Sequence, residues 1–476
     1  MSNKIFSKIN GKIILCILLV ILADFLFYQQ PYGWTFSIFG FITLLSILLR
    51  NNKKLSDYSI FSKYIIVLTS LLLLSLTENL SPLSVCMSSL ALITVALSDN
   101  KKWQNNSIEW LFRIQRFIIA SPLRIFFDIS KNKRFHRSTQ NNRQVTIRNW
   151  LLPITFSIIF IFLFADANPI IDKYLKAIEL SHLSDKISGE RIFFWFLFTV
   201  LCWAIIRLKI NTQKRKTNFL PIKTSTTLIS YLFSEEAILR SLIIFNILFF
   251  AQNIMDIKYI WAGVKTPQGV SMAKYAHEGA YTLVITAILA AIFATISYKN
   301  NNNRLIKWLI SIWITQNIFL VISSIDRTIT YIDKYSLTYL RVAALIWMAI
   351  IALGLAYIIL RILWNKSSLW LININIITVL SILYASCFVN FGYFIAQYNI
   401  QSSFDSPNKL DVYYLNNIGL SSLPAIKLAK EKVNYESLTF RKLENAEHAL
   451  KYKLNRELSN WRSWTFRKYR ISRGIK

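Results

Sequence analysis

The 476-residue chain is 54% apolar, 14% aromatic and only 17% charged, with a mean hydropathy of +0.40, which excludes a soluble multidomain enzyme and predicts a membrane protein. Eleven glycines, nine prolines and four cysteines are too few for a loop-rich, disordered or disulfide-stapled fold. The 55 Lys and Arg against 24 Asp and Glu give +31, but basic residues beside membrane helices hold loops inside and meet anionic headgroups, so the lipid bilayer is the expected partner and nucleic acid is not.

Apolar runs long enough to cross a ~30 Å hydrocarbon core occupy 13–29, 33–49, 60–77, 81–98, 151–168, 192–208, 236–255, 279–297, 307–324, 342–360 and 370–396. The expected fold class is all-α, a polytopic transmembrane helical bundle of about eleven spans. Lys4, Lys8 and Lys12 before the first run resemble a secretory signal, but the bulky Asp24-Phe25-Leu26-Phe27 replaces a small-residue cleavage site, so the run reads as a retained span. Spans one to four fill 1–100. In the basic segment 101–149, Trp103, Trp110, Leu111, Ile114, Phe117 and Ile118 recur at helical spacing around Glu109, Arg113 and Arg116, which predicts an interfacial amphipathic helix on the inner leaflet, ending near Pro122. Spans five to eleven fill 150–398. A basic extramembrane tail, 399–476, follows, with a polar helix over 438–452.

Orientation follows from the loops. With the N-terminus inside, cytoplasmic loops hold 28 Lys and Arg against 10 outside, so the N-terminus is expected in the cytoplasm. An odd number of spans then places the tail in the periplasm despite its 15 basic residues, because segments longer than ~60 residues cross largely regardless of charge. One span more or fewer would make it cytoplasmic.

Enzyme and metal signatures are sparse. Cys16, Cys86, Cys202 and Cys387 lie in apolar runs without CxxC or Cys/His spacing and read as small buried hydrophobes. Four histidines, 136, 182, 277 and 448, are scattered, so no metal site and no cofactor are expected. Neither phosphate-binding nor nucleophile-elbow motifs occur. The paired Glu235-Glu236 point about 100° apart on a helix and cannot converge on one substrate atom.

Ionisable residues at membrane depth are site candidates by default. Glu236 and Arg240 share a helix face and can pair, either to anchor a headgroup or ion or as an acidic start with a snorkelling arginine. Further along, Asn246 is expected to bond a neighbouring helix, and Asp256 closes the outer end of the run. The richest polar collection combines Tyr275, His277 and Tyr281 from the loop after that run with Asp326, Arg327, Tyr335 and Arg341. One reading is an outward pocket in which Arg327 or Arg341 grips an anion and His277 titrates near neutrality; the other is an aromatic belt with charges snorkelling to headgroups.

These stretches, Phe245-Asn-Ile-Leu-Phe-Phe-Ala-Gln-Asn253 with Asp256 and Trp261, Tyr275-Ala-His-Glu-Gly-Ala-Tyr281, Asp326-Arg-Thr-Ile-Thr-Tyr331, Tyr335-Ser-Leu-Thr-Tyr-Leu-Arg341 and Trp461-Arg-Ser-Trp464, resemble a bacterial multi-pass membrane family known only as a domain of unknown function, number four-one-seven-three, with a sibling four-one-five-three. The resemblance runs from about residue 150 to the C-terminus, and Thr465-Phe466 departs from the more polar residues expected there. It implies a bacterial inner membrane and adds no activity. The expected function is non-catalytic, the transport or sensing of an anionic solute or lipid at the cell envelope. The alternatives are a membrane-embedded transferase on a lipid-linked envelope substrate, with His277 or Asp326 as base, or a scaffold subunit that recruits protein partners through its tail and 103–148.

Overall fold

The computed structural model describes residues 2–50, 58–98, 107–119, 189–206, 235–262, 285–295, 303–403 and 410–475. Every regular element among them is helical. The chain divides into two compact units, Met1–Leu76 with Ser88–Lys102 and Glu109–Ile210, and Thr77–Met87 with Trp103–Ile108 and Asn211–Lys476.

The first unit holds α1 (Ser2–Phe27), α2 (Thr35–Arg50), most of α3 (Ile60–Glu78) and of α4 (Pro82–Leu97), most of α5 (107–119), and α6 (Gly189–Ile206). Helices α1 and α6 run antiparallel: the Cys16 thiol faces the Thr199 carbonyl at 3.8 Å, and Asp24 meets Arg191. Phe27 stands within 6.0 Å of Phe36, Phe39 and Phe198, closing α1, α2 and α6 around one aromatic core. Small hydroxyls join the next helices, with Ser37 donating to the Leu73 carbonyl at 2.7 Å and Ser88 to that of Leu72 at 3.2 Å. In α5, Ile114 and Phe117 are buried while Leu111, Phe112, Ile118 and Ile119 stay exposed, an apolar surface suited to an interface. Its described end is residue 119.

The main part of the second unit begins with α7 (Glu235–Asp256), which widens into a π-helical turn, Ile257–Trp261. Helices α8 (Ile285–Thr295), α9 (Arg304–Tyr335), α10 (Tyr339–Leu363) and α11 (Ser368–Ser386) follow. Asn246 reaches the Leu309 carbonyl and Asn253 that of Gln316, both 63 residues on. A constant offset means that α7 and α9 run parallel. Asn303 donating to Glu235 at 2.7 Å fixes their starts together. Phe245, Phe249 and Phe293 surround the Trp313 ring at 5.1–5.7 Å, and Ala287, Ala290 and Ala294 of α8 are buried in the same core.

Residues 391–475 form a helical cap: α12 (Phe391–Ser402), α13 (Val412–Ile418), α14 (Leu423–Lys432), α15 (Leu438–Leu458) and α16 (Phe466–Ile475). Leu415, Leu423, Ile426 and Leu443 are wholly buried in its core. Its face rests on the short turn between α9 and α10. There Asn399 accepts from the Leu337 amide at 2.6 Å and donates to the Leu337 carbonyl at 2.9 Å, and Tyr398 donates to Asp333 at 2.7 Å.

The expected eleven spans are corrected. Among the described residues, six helices are long and apolar enough to cross a membrane: α3, α6, α7 with its π turn, α9, α10 and α11. The run 13–29 lies in α1, and the described helices over 33–49, 81–98 and 279–297 have 10–17 residues. The run 151–168 lies outside the described residues. The run 370–396 is two helices, because the Asn390 side chain accepts from the Tyr393 amide at 3.2 Å and starts a new helix, α12, in the cap. Cys16, Cys202 and Cys387 are buried as expected; Cys86 is exposed.

Candidate functional site

Every apolar helix pair needs a reason to associate in lipid, where hiding leucine from hydrocarbon gains nothing. Between α7 and α9 the reason is a polar seam. Asn246, Asn253 and Asp256 reach α9, whose Asn317, Ser323, Ser324, Arg327 and Thr328 are buried, as are Asn253 and Asp256. The amides bond carbonyls across the seam, while Ser324 and Thr328 return their hydroxyls to α9 carbonyls at 2.9 and 2.8 Å.

The seam ends in an ion pair. Asp256 is wholly buried, Arg327 is 3% exposed, and the guanidinium Nη2 bonds Oδ1 of the carboxylate. Gln252, one turn earlier on α7, donates to the same oxygen at 3.0 Å. Asp256 and Arg327 were both expected as site residues; their direct pairing across 71 residues and the role of Gln252 were not. The i, i+4 spacing of Gln252 and Asp256 was the available signal.

Asp326 is adjacent to Arg327 and therefore points about 100° away from the pair. Arg341 is occupied otherwise than expected. Its Nη1 donates to the Tyr335 carbonyl at 2.6 Å and also bonds that of Ser336, and the guanidinium lies over the Tyr331 ring at 4.6 Å. It thereby answers the last carbonyls of α9, beside Ser336 at φ 70°. Tyr335 stacks on Tyr331 at 4.6 Å and is half exposed. Tyr275, His277 and Tyr281 lie outside the described residues.

Of the remaining candidates, Glu236 and Arg240 pair at 3.2 Å with more than three quarters of each side chain exposed. Asn246 donates to the Leu242 carbonyl on its own helix at 2.8 Å and to Leu309 on α9 at 3.2 Å.

Three further ionic clusters were not singled out from sequence. In the first unit, Arg191 grips Asp24 through Nε at 2.9 Å and through Nη2, while Trp195 donates to the same carboxylate at 2.9 Å. In the cap, Glu447 takes Lys451 at 2.6 Å and Lys430 at 3.0 Å. Burial pushes the Glu447 carboxyl up, but the two lysines outweigh it and hold it below the ordinary value; the hydrogen bond that Lys430 donates to Glu447 in turn raises the Lys430 ammonium. Third, Glu78 is shared by Arg467 and Arg470 of α16. Burial lowers the Arg467 guanidinium, with Glu78 opposing.

No curated protein and no solved structure matches the chain. A family comparison does, and it corrects the expected extent of resemblance at both ends: the match begins in α3, well before residue 150, and stops in α14, before the Trp461–Trp464 pair. The matching family is the expected sibling, and with residues 64–429 covered, this multi-helix membrane chain belongs to the family described as Domain of unknown function (DUF4153).

Proposed function

We propose that the chain is a non-catalytic multi-pass protein of the bacterial inner membrane that senses or moves an anionic solute or lipid. Arg327 is its anion-binding group, and Asp256 is the counter-ion that holds Arg327 when no anion is bound. The observation that carries this reading is the buried Asp256–Arg327 pair at the end of the α7/α9 seam. Removing two charges from water costs several kcal/mol per ion, which their attraction barely offsets, so such a pair adds little net stability and is better suited to a switch. An anion that takes the place of Asp256 must part α7 from α9. Helix α9 then carries the displacement two turns onward to the turn on which the cap rests. Tyr335 at that turn would line the entrance.

The proposed side of the membrane rests on loop charge. Because α7 and α9 are parallel, Asp256, Arg327 and the cap-bearing turn share one end. The loops at the opposite ends of these helices carry Lys299, Arg304, Lys307, Arg361 and Lys366, so the reading puts the shared end, with the cap, in the periplasm. A cysteine at exposed position Tyr413, in a Cys86→Ala background, should then react with an impermeant maleimide from the periplasmic side. Reaction only after permeabilisation would reverse the orientation.

Binding is tested on the purified full-length protein by thermal unfolding with sulfate, inorganic phosphate and phosphatidylglycerol. One of them should raise the midpoint, Asp256→Asn should enlarge that response and Arg327→Gln should abolish it. A response unchanged in Arg327→Gln, or none with any of the three, overturns the reading.

A further inference from the structure

Residues 461–475 contain Arg462, Arg467, Lys468, Arg470 and Arg473 and no acidic residue. Two carboxylates from elsewhere answer three of these cations: Glu78 takes Arg467 and Arg470, and Glu457 takes Lys468 at 2.9 Å. Positive charge is left in surplus, and it is interleaved with rings. The Arg473 guanidinium lies 4.8 Å over Tyr469 and that of Arg462 4.8 Å over Trp461, while Trp464 meets Phe466 at 4.8 Å.

Burial sorts α16 into two faces. Arg467 and Ile471 point inward and are buried, whereas Phe466, Tyr469, Arg470 and Arg473, at i, i+3, i+4 and i+7, are exposed along one stripe. The inward side sets the height of that stripe. Arg467 meets Glu78, the last residue of α3, at 3.5 Å. Helix α3 is long and apolar enough to span and Glu78 ends it, which puts α16 at the level where hydrocarbon would give way to headgroups. Tyrosine and arginine together at that level match a ring-loving, phosphate-bearing surface.

We propose that the outward stripe of α16, Phe466, Tyr469, Arg470 and Arg473, binds the phosphate of an anionic phospholipid, with the rings seated beside the glycerol backbone and the guanidinium groups on the headgroup. This is independent of the Arg327 reading, since it concerns a different surface and a different contact.

The test is native mass spectrometry of the full-length protein in detergent, titrated with phosphatidylglycerol or with phosphatidylcholine. Bound phosphatidylglycerol should fall roughly five-fold in Arg473→Gln and further in Arg470→Gln/Arg473→Gln, while phosphatidylcholine is unchanged. Arg473→Gln keeps the test valid if losing the Glu78 contact disturbs the cap, and Arg470→Lys/Arg473→Lys should restore most binding. Equal phosphatidylglycerol binding in all variants overturns the proposal, as does an equal loss of both lipids, or full displacement of the lipid by inorganic phosphate.

Discussion

Asp256 and Glu447 are both buried carboxylates answered by cations, yet they do different work. Glu447 sits in a cap whose leucines and isoleucines are packed away from water, and its two lysines keep 25% and 39% of their surface. That cap holds together because apolar surface leaves water, at roughly 25 cal/mol per Å², and the ion pairs are an addition. Asp256 sits between helices whose outer sides still expose Ile243, Ile244, Ile247, Leu248 and Phe250. In lipid those side chains supply no drive to associate, so amides, hydroxyls and one ion pair must specify the contact. The same chemistry is ornament in one region and register in the other.

The largest expected effect breaks the second case. Arg327→Ala, which strands a buried carboxylate, should cost ~3–5 kcal/mol, whereas Asp256→Leu/Arg327→Leu should recover most of it. The measurement is reversible unfolding of the full-length protein in detergent, and a double variant as weak as the single one would mean the pair is more than a seam element. In the cap, Leu443→Ala should cost ~2–5 kcal/mol through a cavity, seen as faster hydrogen exchange across α13–α15 with the α7/α9 amides unaffected. A global change instead would show that the two regions fold as one.

A smaller effect is expected at the join. A Cβ on Gly392 would lie 2.5 Å from the Tyr339 hydroxyl and 2.9 Å from Ser421 Cβ. Gly392→Ala should therefore cost ~1–3 kcal/mol, and Tyr339→Phe should relieve part of it. The last prediction concerns pH. The Glu447 value is held below the ordinary carboxylate, so its contribution is full above about pH 5 and fades as pH falls through the lowered folded value. The raised Lys430 value gives the opposite limb, a contribution present below about pH 10 and lost as pH climbs past it. Glu447→Gln should flatten the acid limb of cap unfolding, and an unchanged limb would place the titration elsewhere.

Hydropathy located α6, α7 and α10 to within a few residues, because length and apolarity are local properties. It ended α9 at 324, eleven residues short of Tyr335. The polar residues beyond that point stay helical because Arg327 finds Asp256 and because Thr328 and Thr330 bond carbonyls a turn back, and the first of these is invisible without the partner. The break at Asn390 was missed because an asparagine that caps a new helix barely lowers the hydropathy of the run around it, and Gly392 stands inside the new helix, past the break. At the site, composition nominated Arg327 and Arg341 within one polar collection and Asp256 apart from it. Their actual partners depend on the parallel register of α7 and α9 and on Arg341 folding back onto the end of its own preceding helix, neither of which a linear pattern encodes. The cap's core was hidden by its charge, since α15 buries Leu443, Ala446, Leu450 and Leu454 beneath a polar exterior.

The side-chain amide of Asn399 does for Leu337 what a neighbouring strand would do, supplying both an acceptor and a donor to a single peptide unit in the turn between two spans. A bend in that position must otherwise find water or go without. The cap helices are therefore a structural component of the hairpin they sit on, and a truncation that removed residue 399 would leave two exposed backbone groups at the apex of α9 and α10, felt by those two helices directly.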